Sequence, residues 1–185
     1  MVKYNLRSFV TVIVILSCAI FLFIQSCNER ISMWGAITTT VTIMVAVCTL
    51  FVTWFWRFKI FQKWLVPFPY LAGSWKGELI TVFKSDELVI PLKIIIEHNY
   101  FTIQIKFQTN ESKSVSICGM FDIDKDRGLR HIVYSFLNLP NTTVRDRSAI
   151  HYGTARLEIS DDARTLEGEY WTSRKTTGHM KLVKN

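Results

Sequence analysis

Tyr170, Thr172 and Arg174 are the side chains of this sequence whose types and spacing point most clearly to ligand chemistry. They alternate with Glu169 and Trp171 in the stretch EGEYWTSRKTTG, which has the pattern of a β-strand followed by a turn. Successive side chains of a strand face opposite sides, so if the glutamates face water, the hydroxyls and the guanidinium lie on the covered side. An arginine there needs an anionic partner, and its planar fork suits phosphate.

Further polar and aromatic side chains are predicted on the same covered side of other strands. Together with the first three, the candidate ligand-binding residues are Arg174, Tyr170, Thr172, Trp75, Tyr134, Asn138 and His151. Hydroxyl and amide groups supply hydrogen bonds and aromatic faces suit base stacking, so the set predicts a small anionic, aromatic ligand held at one mouth. Each residue alone also fits an ordinary role, such as a solvated arginine past a strand end or a core histidine.

The elements that must position these residues are eight strands with a period of two. They are predicted near 73–83, 88–98, 101–109, 113–123, 129–138, 150–160, 164–172 and 177–183, with turn residues between them. Short links favour an antiparallel meander, and the predicted fold is an eight-stranded up-and-down, lipocalin-like β-barrel. A two-sheet sandwich is the alternative that periodicity leaves open.

Two uncharged segments precede the strands. Residues 8–26 and 33–56 are each long enough, as helices, to cross a bilayer core of about 30 Å, and the six residues between them predict a tight hairpin. A cleaved signal peptide is the rival for the first segment, but a second apolar segment follows directly. The predicted organisation is a transmembrane hairpin with an interfacial exit segment over 1–66 and a ligand-binding barrel over 67–185.

The charges around the apolar segments predict an orientation. Lys3 and Arg7 precede the first segment, and Arg57, Lys59 and Lys63 follow the second, whereas the link carries only one arginine beside a glutamate. The positive-inside rule therefore places both termini and the barrel in the cytoplasm.

One face of the second segment is small and hydroxylated. Its residues recur at steps of three and four and comprise Gly35, Thr39, Thr42, Ala46, Thr49 and Thr53. Small faces let helices approach closely in lipid. The face predicts either packing against the first segment or association between copies of the chain.

Composition argues against several functional classes. Residues 1–66 contain six Lys or Arg and one acid, so much of the net charge of +7 belongs to the membrane segments, and a DNA or RNA polymer is not an expected partner. The four cysteines have no zinc or disulfide spacing, and the sequence lacks the hydrolase, phosphate-loop and zinc-protease motifs. No enzyme activity, metal or cofactor is expected.

Four stretches resemble a known family. They are AGSWKGEL (72–79), VYSFLNLPN (133–141), HYGTARLEI (151–159) and LEGEYWTSRKTTGHMKL (166–182). With the two apolar segments before them, they are similar to the two-transmembrane β-barrel effectors of bacterial cyclic-oligonucleotide antiphage signalling (CBASS).

The resemblance implies a function for the whole chain. In that family the barrel is a receptor for a cyclic dinucleotide made by a cognate nucleotidyltransferase. Binding is expected to drive homo-oligomerisation of the membrane spans, disruption of the bacterial inner membrane and death of the phage-infected cell. The alternatives are a membrane-tethered lipocalin-like carrier or sensor of lipids, which predicts an apolar cavity, and a solid barrel that binds only protein.

Overall fold

The computed structural model describes residues 6–28, 30–62, 64–83, 86–124 and 126–185. The described residues up to Pro67 form one compact unit, and Phe68–Asn185 form another. Lys3, Glu29 and Lys63, which contributed to the predicted orientation, lie outside the described residues.

The first unit contains two helices, α1 (Leu6–Cys27) and α2 (Met33–Thr53). Both are long and apolar enough to cross a membrane, over Arg7–Cys27 and Met33–Thr53. Ser32 caps α2, because its side-chain oxygen accepts a hydrogen bond from the Gly35 backbone N–H at 3.1 Å.

Helix α2 packs against α1 mainly through a face other than the small-residue stripe, although Thr49 of the stripe lines the groove between the helices. Its buried residues are Ala36, Thr40 and Met44, and a groove between the helices is lined by Thr40 and Met44 together with α1 residues. Because successive residues turn by about 100°, Ala46 projects roughly 160° away from Met44.

The stripe itself is largely uncovered within this unit. Five of its members are exposed and Gly35 is half-buried; the exposed ones are Thr39, Thr42, Ala46, Thr49 and Thr53. The Thr42, Thr49 and Thr53 hydroxyls each donate to a carbonyl one turn back along α2, at 2.8 to 3.0 Å. These three hydroxyls are therefore satisfied within the helix.

The second unit is a closed antiparallel barrel in which each strand pairs with its neighbours in chain order. The strands are β1 (Gly73–Phe83), β2 (Asp86–His98), β3 (Ile103–Gln108), β4 (Ser112–Asp124), β5 (Leu129–Pro140), β6 (His151–Ile159), β7 (Thr165–Thr172) and β8 (Thr177–Lys184). Pairing of β8 with β1 closes the sheet, so the predicted up-and-down barrel is confirmed and the sandwich is excluded.

Alternation of buried and exposed residues follows the predicted period of two along most strands. Two departures from it are informative. A register shift in β4 between Ser116 and Cys118 leaves Ile117 62% exposed. Phe101, the first residue of the predicted third strand, is 76% exposed, because Asn99 Oδ1 accepts hydrogen bonds from the backbone N–H groups of Phe101 and Thr102 in a turn that precedes β3. The prediction for Phe101 was wrong, since asparagine turn chemistry delays the strand.

The two ends of the barrel differ. We call the end with the β1–β2, β3–β4, β5–β6 and β7–β8 connections the mouth, and the opposite end the base. The chain segment before β1 closes the base, where Phe68 is 4% exposed and Leu71 is fully buried. The Leu71 backbone N–H donates to His98 Nδ1 at 3.2 Å, and Phe68 stacks on Phe121 at 5.1 Å between ring centroids.

Candidate ligand-binding site

A cavity of about 550 Å³ lies at the mouth of the barrel. Strands supply its walls, including Thr81 near the end of β1 and Met180 in the middle of β8, and three connections supply polar residues. These are the β3–β4 turn, the β7–β8 turn and the β5–β6 loop, which begins with a 3-10 turn over Thr142–Val144. The volume lies within the range of sites that bind small molecules, roughly 300 to 1,000 Å³.

Arg174 lies in the turn after β7, and its exposed side chain lines this cavity. Its Nη1 donates to Ser148 Oγ at 2.8 Å, and its Nη2 donates to the Arg147 carbonyl at 3.5 Å. Among the described residues no carboxylate lies within ion-pairing distance of it. Hydrogen bonds therefore hold the guanidinium in place while its charge stays uncompensated by an acid of the described chain.

A second arginine lines the same cavity. Arg147 forms an ion pair with Glu111 of the β3–β4 turn, with Nη2 and Oε1 2.5 Å apart. The lining thus carries two guanidinium groups and one carboxylate, which favours an anion.

Tyr170 and Thr172 supply an aromatic face and a hydroxyl to the cavity wall. Tyr170 lies opposite Gly178 of β8, where an added Cβ would come within 2.6 Å of its ring. The glycine therefore allows the ring to lie against the neighbouring strand. Burial raises the pKa of the Tyr170 hydroxyl, and its hydrogen bond with Thr81 lowers that pKa in part.

Asn138 and His151 pair across β5 and β6 and both line the cavity. The Asn138 side-chain oxygen accepts a hydrogen bond from Ser114 Oγ at 2.7 Å, so this oxygen already has a partner on β4. His151 Nδ1 lies 2.8 Å from the Ala149 carbonyl, which can only accept, so Nδ1 carries the proton. A neutral His151 then presents Nε2 as an acceptor.

Trp75 and Tyr134, the other two predicted ligand contacts, do not line this cavity. Trp75 is the third residue of β1 and lies near the base, where it is fully buried and its Nε1–H donates to the Leu71 carbonyl at 3.0 Å. Tyr134 lies deeper in the interior, 1% exposed, with its hydroxyl donating to Met180 Sδ at 3.6 Å. The expectation that all seven residues ring one mouth is therefore corrected to five.

Sequence reasoning missed the contributions of the β5–β6 loop and the β3–β4 turn. The alternation rule applies only within strands, so it predicted no direction for the side chains of the loop residues Arg147, Ser148 and Glu111. The available signal was length, since residues 141–150 form the longest connection between neighbouring strands and carry two arginines. Long loops in compact domains are often functional.

Comparison with known proteins decides the family. The sequence profile described as "Cap15, cyclic dinucleotide receptor domain" matches residues 66–184, which is more than half of the chain. The chain belongs to the Cap15 cyclic dinucleotide receptor family. A curated relative, "CD-NTase-associated protein 15" of Staphylococcus schleiferi, is 26% identical over 166 residues, covering 89% of this chain and 88% of the relative.

The Cap15 match covers the whole barrel and therefore every residue of the mouth cavity. The resemblance noted in the sequence is thus confirmed at the level of the family. The alignment extends over most of the length of both chains.

Proposed function

We propose that the protein is a membrane-anchored effector whose barrel binds a cyclic dinucleotide in the mouth cavity. The observation that carries the proposal is the convergence of Arg147 and Arg174 with an aromatic ring and hydrogen-bonding side chains in one cavity of a Cap15-family domain. A cyclic dinucleotide offers two phosphates, two riboses and two flat bases. The guanidinium groups suit the phosphates, and Tyr170 offers a face for a base.

The lining argues against the lipid-carrier alternative. A lipocalin-like carrier of lipids requires an apolar interior, whereas this cavity contains two arginines, a glutamate, two asparagines and a histidine. Placing an acyl chain against these groups would remove their hydration without replacing the hydrogen bonds. A small polar anion is the better fit.

The membrane-anchored part of the proposal rests on α1 and α2. We assign 1–66 to a hairpin that spans the bacterial inner membrane twice and 67–185 to a cytoplasmic receptor. Ligand-loaded chains then associate through the small-residue stripe of α2, the membrane is disrupted and the phage-infected cell dies. A ligand promotes association only if it binds the associated form more tightly than the single chain.

The decisive experiment uses full-length protein in detergent micelles. Cyclic di-AMP, cyclic di-GMP and mixed adenine–uracil cyclic dinucleotides are titrated by calorimetry, and thermal unfolding is followed in parallel. A ligand at a hundred times its dissociation constant raises the free energy of unfolding by about 2.7 kcal/mol. If palmitate or a phospholipid stabilises the protein and no cyclic dinucleotide does, the proposal is wrong.

The effector step needs a separate assay. Full-length protein in vesicles loaded with a fluorescent dye is exposed to the cyclic dinucleotide that binds best. Dye release that depends on both protein and ligand is expected. Binding without release would separate a sensor from a membrane-disrupting effector.

A further inference from the structure

The mouth cavity contains its own anion, the carboxylate of Glu111. This residue belongs to the β3–β4 turn, yet it bonds Arg147 on the β5–β6 loop, 36 residues later in the chain. Both side chains are more than half exposed, at 57% for Glu111 and 67% for Arg147. The pair therefore spans two connections at the rim and remains in contact with water.

Hydrogen bonds from Asn141 to two backbone carbonyls hold the connections together without help from this pair. The Asn141 N–H donates to the Glu111 carbonyl at 2.8 Å, and Asn141 Nδ2 donates to the Asn110 carbonyl at 3.2 Å. The Arg147 N–H donates to the Val144 carbonyl at 3.2 Å. The carboxylate can thus leave the guanidinium by side-chain rotation alone, while both connections keep their places.

The two arginines of the cavity are in different states. Arg174 has no carboxylate partner among the described residues, whereas Arg147 is already paired with Glu111. The backbone carbonyl of Arg147 also accepts from Arg174, so the two cations are tied to one another. A ligand with two phosphates meets one available guanidinium and one occupied guanidinium.

On the basis of the proposed function, we infer that Glu111 is a built-in competitor for the second ligand phosphate. Its carboxylate takes the place of that phosphate on Arg147, and ligand binding exchanges one anion for the other. Exposed ion pairs are weak because water screens them, and Arg–phosphate bonds are short, bidentate and strong. The exchange therefore proceeds, but the displaced carboxylate lowers affinity.

This assigns a role to two residues that parity alone did not single out. Arg147 is a ligand contact, and Glu111 sets the ligand concentration at which the receptor fills. Glu111 also discourages binding by molecules that cannot offer a second anionic group to replace it on Arg147.

The test measures dissociation constants for the tightest-binding cyclic dinucleotide of the panel, using full-length protein in detergent. Glu111→Gln removes the charge and keeps the shape of the side chain. The matched control is Glu97→Gln, which removes the same charge elsewhere in the barrel. Glu97 on β2 forms an ion pair with Lys106 on the neighbouring strand β3, away from the mouth. Both substitutions are repeated in an Arg147→Ala background.

We expect Glu111→Gln to tighten binding by about two- to fivefold, which is the size of effect that a weak exposed pair can exert. Glu97→Gln should leave the dissociation constant within about twofold. Arg147→Ala should weaken binding, and in that background Glu111→Gln should lose most of its gain, because no guanidinium remains to be released.

Three results would overturn the inference while leaving the proposed function intact. They are unchanged or weaker binding by Glu111→Gln, an equal gain with Glu97→Gln, and a full gain that persists in the Arg147→Ala background. In each of these the parent protein still binds the cyclic dinucleotide. A parent protein that binds none of the panel instead overturns the proposed function together with the inference.

Discussion

Arg174 shows how a residue can be placed by a turn rather than by a strand. Its parity with Tyr170 and Thr172 suggested an inward side chain, but β7 ends at Thr172 and Arg174 follows in the turn. The turn is fixed by a hydrogen bond from the Ser173 N–H to the Tyr152 carbonyl at 2.9 Å and by Lys175 with φ of 60°. The guanidinium reaches the cavity from the rim.

Arg174→Ala should weaken binding of a cyclic dinucleotide by roughly tenfold to a hundredfold, the range expected for losing a charge-assisted hydrogen bond. The side chain is exposed, so the thermal midpoint of the unliganded protein should change little. Calorimetry and thermal unfolding of the full-length protein measure the two effects.

Arg127→Ala is the matched control, because Arg127 is 78% exposed in the β4–β5 turn at the base of the barrel. Arg174→Lys tests charge without the planar fork and should bind with intermediate affinity. Equal affinity of Arg174→Ala and the parent would show that the ligand phosphates lie elsewhere.

The buried tyrosines give the barrel an alkaline limit. Burial raises the pKa of Tyr134 well above its usual value near 10, and burial also raises the pKa of Tyr170. Above about pH 10 the unfolded chain loses these protons while the folded chain keeps them. The stabilisation is therefore complete below pH 10 and is lost as the pH rises toward the folded-state pKa.

We expect the free energy of unfolding to fall above pH 10 by up to about 1.4 kcal/mol per pH unit for each such tyrosine. Tyr134→Phe should reduce this slope, since it removes the hydroxyl and keeps the ring. Denaturant titrations between pH 8 and 11, a range chosen to bracket the usual tyrosine value, measure the difference.

Among the elements, the strands were the most predictable and the loops the least. A strand is recognised by the alternation of apolar and polar residues, because one of its faces is buried. β1 was predicted with the same bounds that the structure gives, Gly73–Phe83. Arg147 and Ser148 were missed because a loop side chain is aimed by hydrogen bonds, such as the one from Arg174 to Ser148, rather than by a period.

The position of Trp75 illustrates a signal that was available and unused. In an up-and-down barrel, odd strands all run in one direction, so the end of β7 and the start of β1 lie at opposite ends. Trp75 is the third residue of β1, whereas Thr172 is the last of β7. The alternation along a strand determines whether a side chain points into or out of the barrel. The direction of the strand determines whether that side chain lies near the mouth or near the base.

The uncovered stripe of α2 leads to a prediction about association of the spans. Thr42→Leu and Ala46→Leu should insert into the membrane normally but reduce ligand-dependent crosslinking and dye release, because close helix approach in lipid depends on small side chains. Both positions are exposed and lie away from α1. Crosslinking of full-length protein in vesicles is the measurement.

Val47→Leu is the control for these variants, since it adds bulk next to Ala46 but about 100° round the helix. Met44 is unsuitable, because it is buried against α1. Leucine variants of the stripe that crosslink and leak like the parent would leave the stripe without a role in association.

For the whole molecule, the asymmetry of Lys and Arg predicts which side of the membrane the receptor occupies. Alkaline phosphatase, active only in the periplasm, should be silent when fused after Asn185 and active when fused after Ser32 in the link. A green fluorescent protein should give the opposite pattern. Phosphatase activity at the C-terminal fusion would place the barrel away from cytoplasmic cyclic dinucleotides.

The residues before β1 close the base of the barrel, and they therefore determine where a shortened receptor fragment can begin. A fragment that starts at Gly73 would contain every strand, yet it would lack the Leu71 carbonyl that accepts from Trp75 and the Leu71 N–H that donates to His98. It would also lack Phe68, whose ring covers Phe121. Such a fragment would be open at both ends of the barrel. Its apolar interior would be exposed to water at the base, and this exposed surface would favour aggregation. A soluble receptor for crystallisation or ligand screening should instead begin before Phe68, even though no strand has started there.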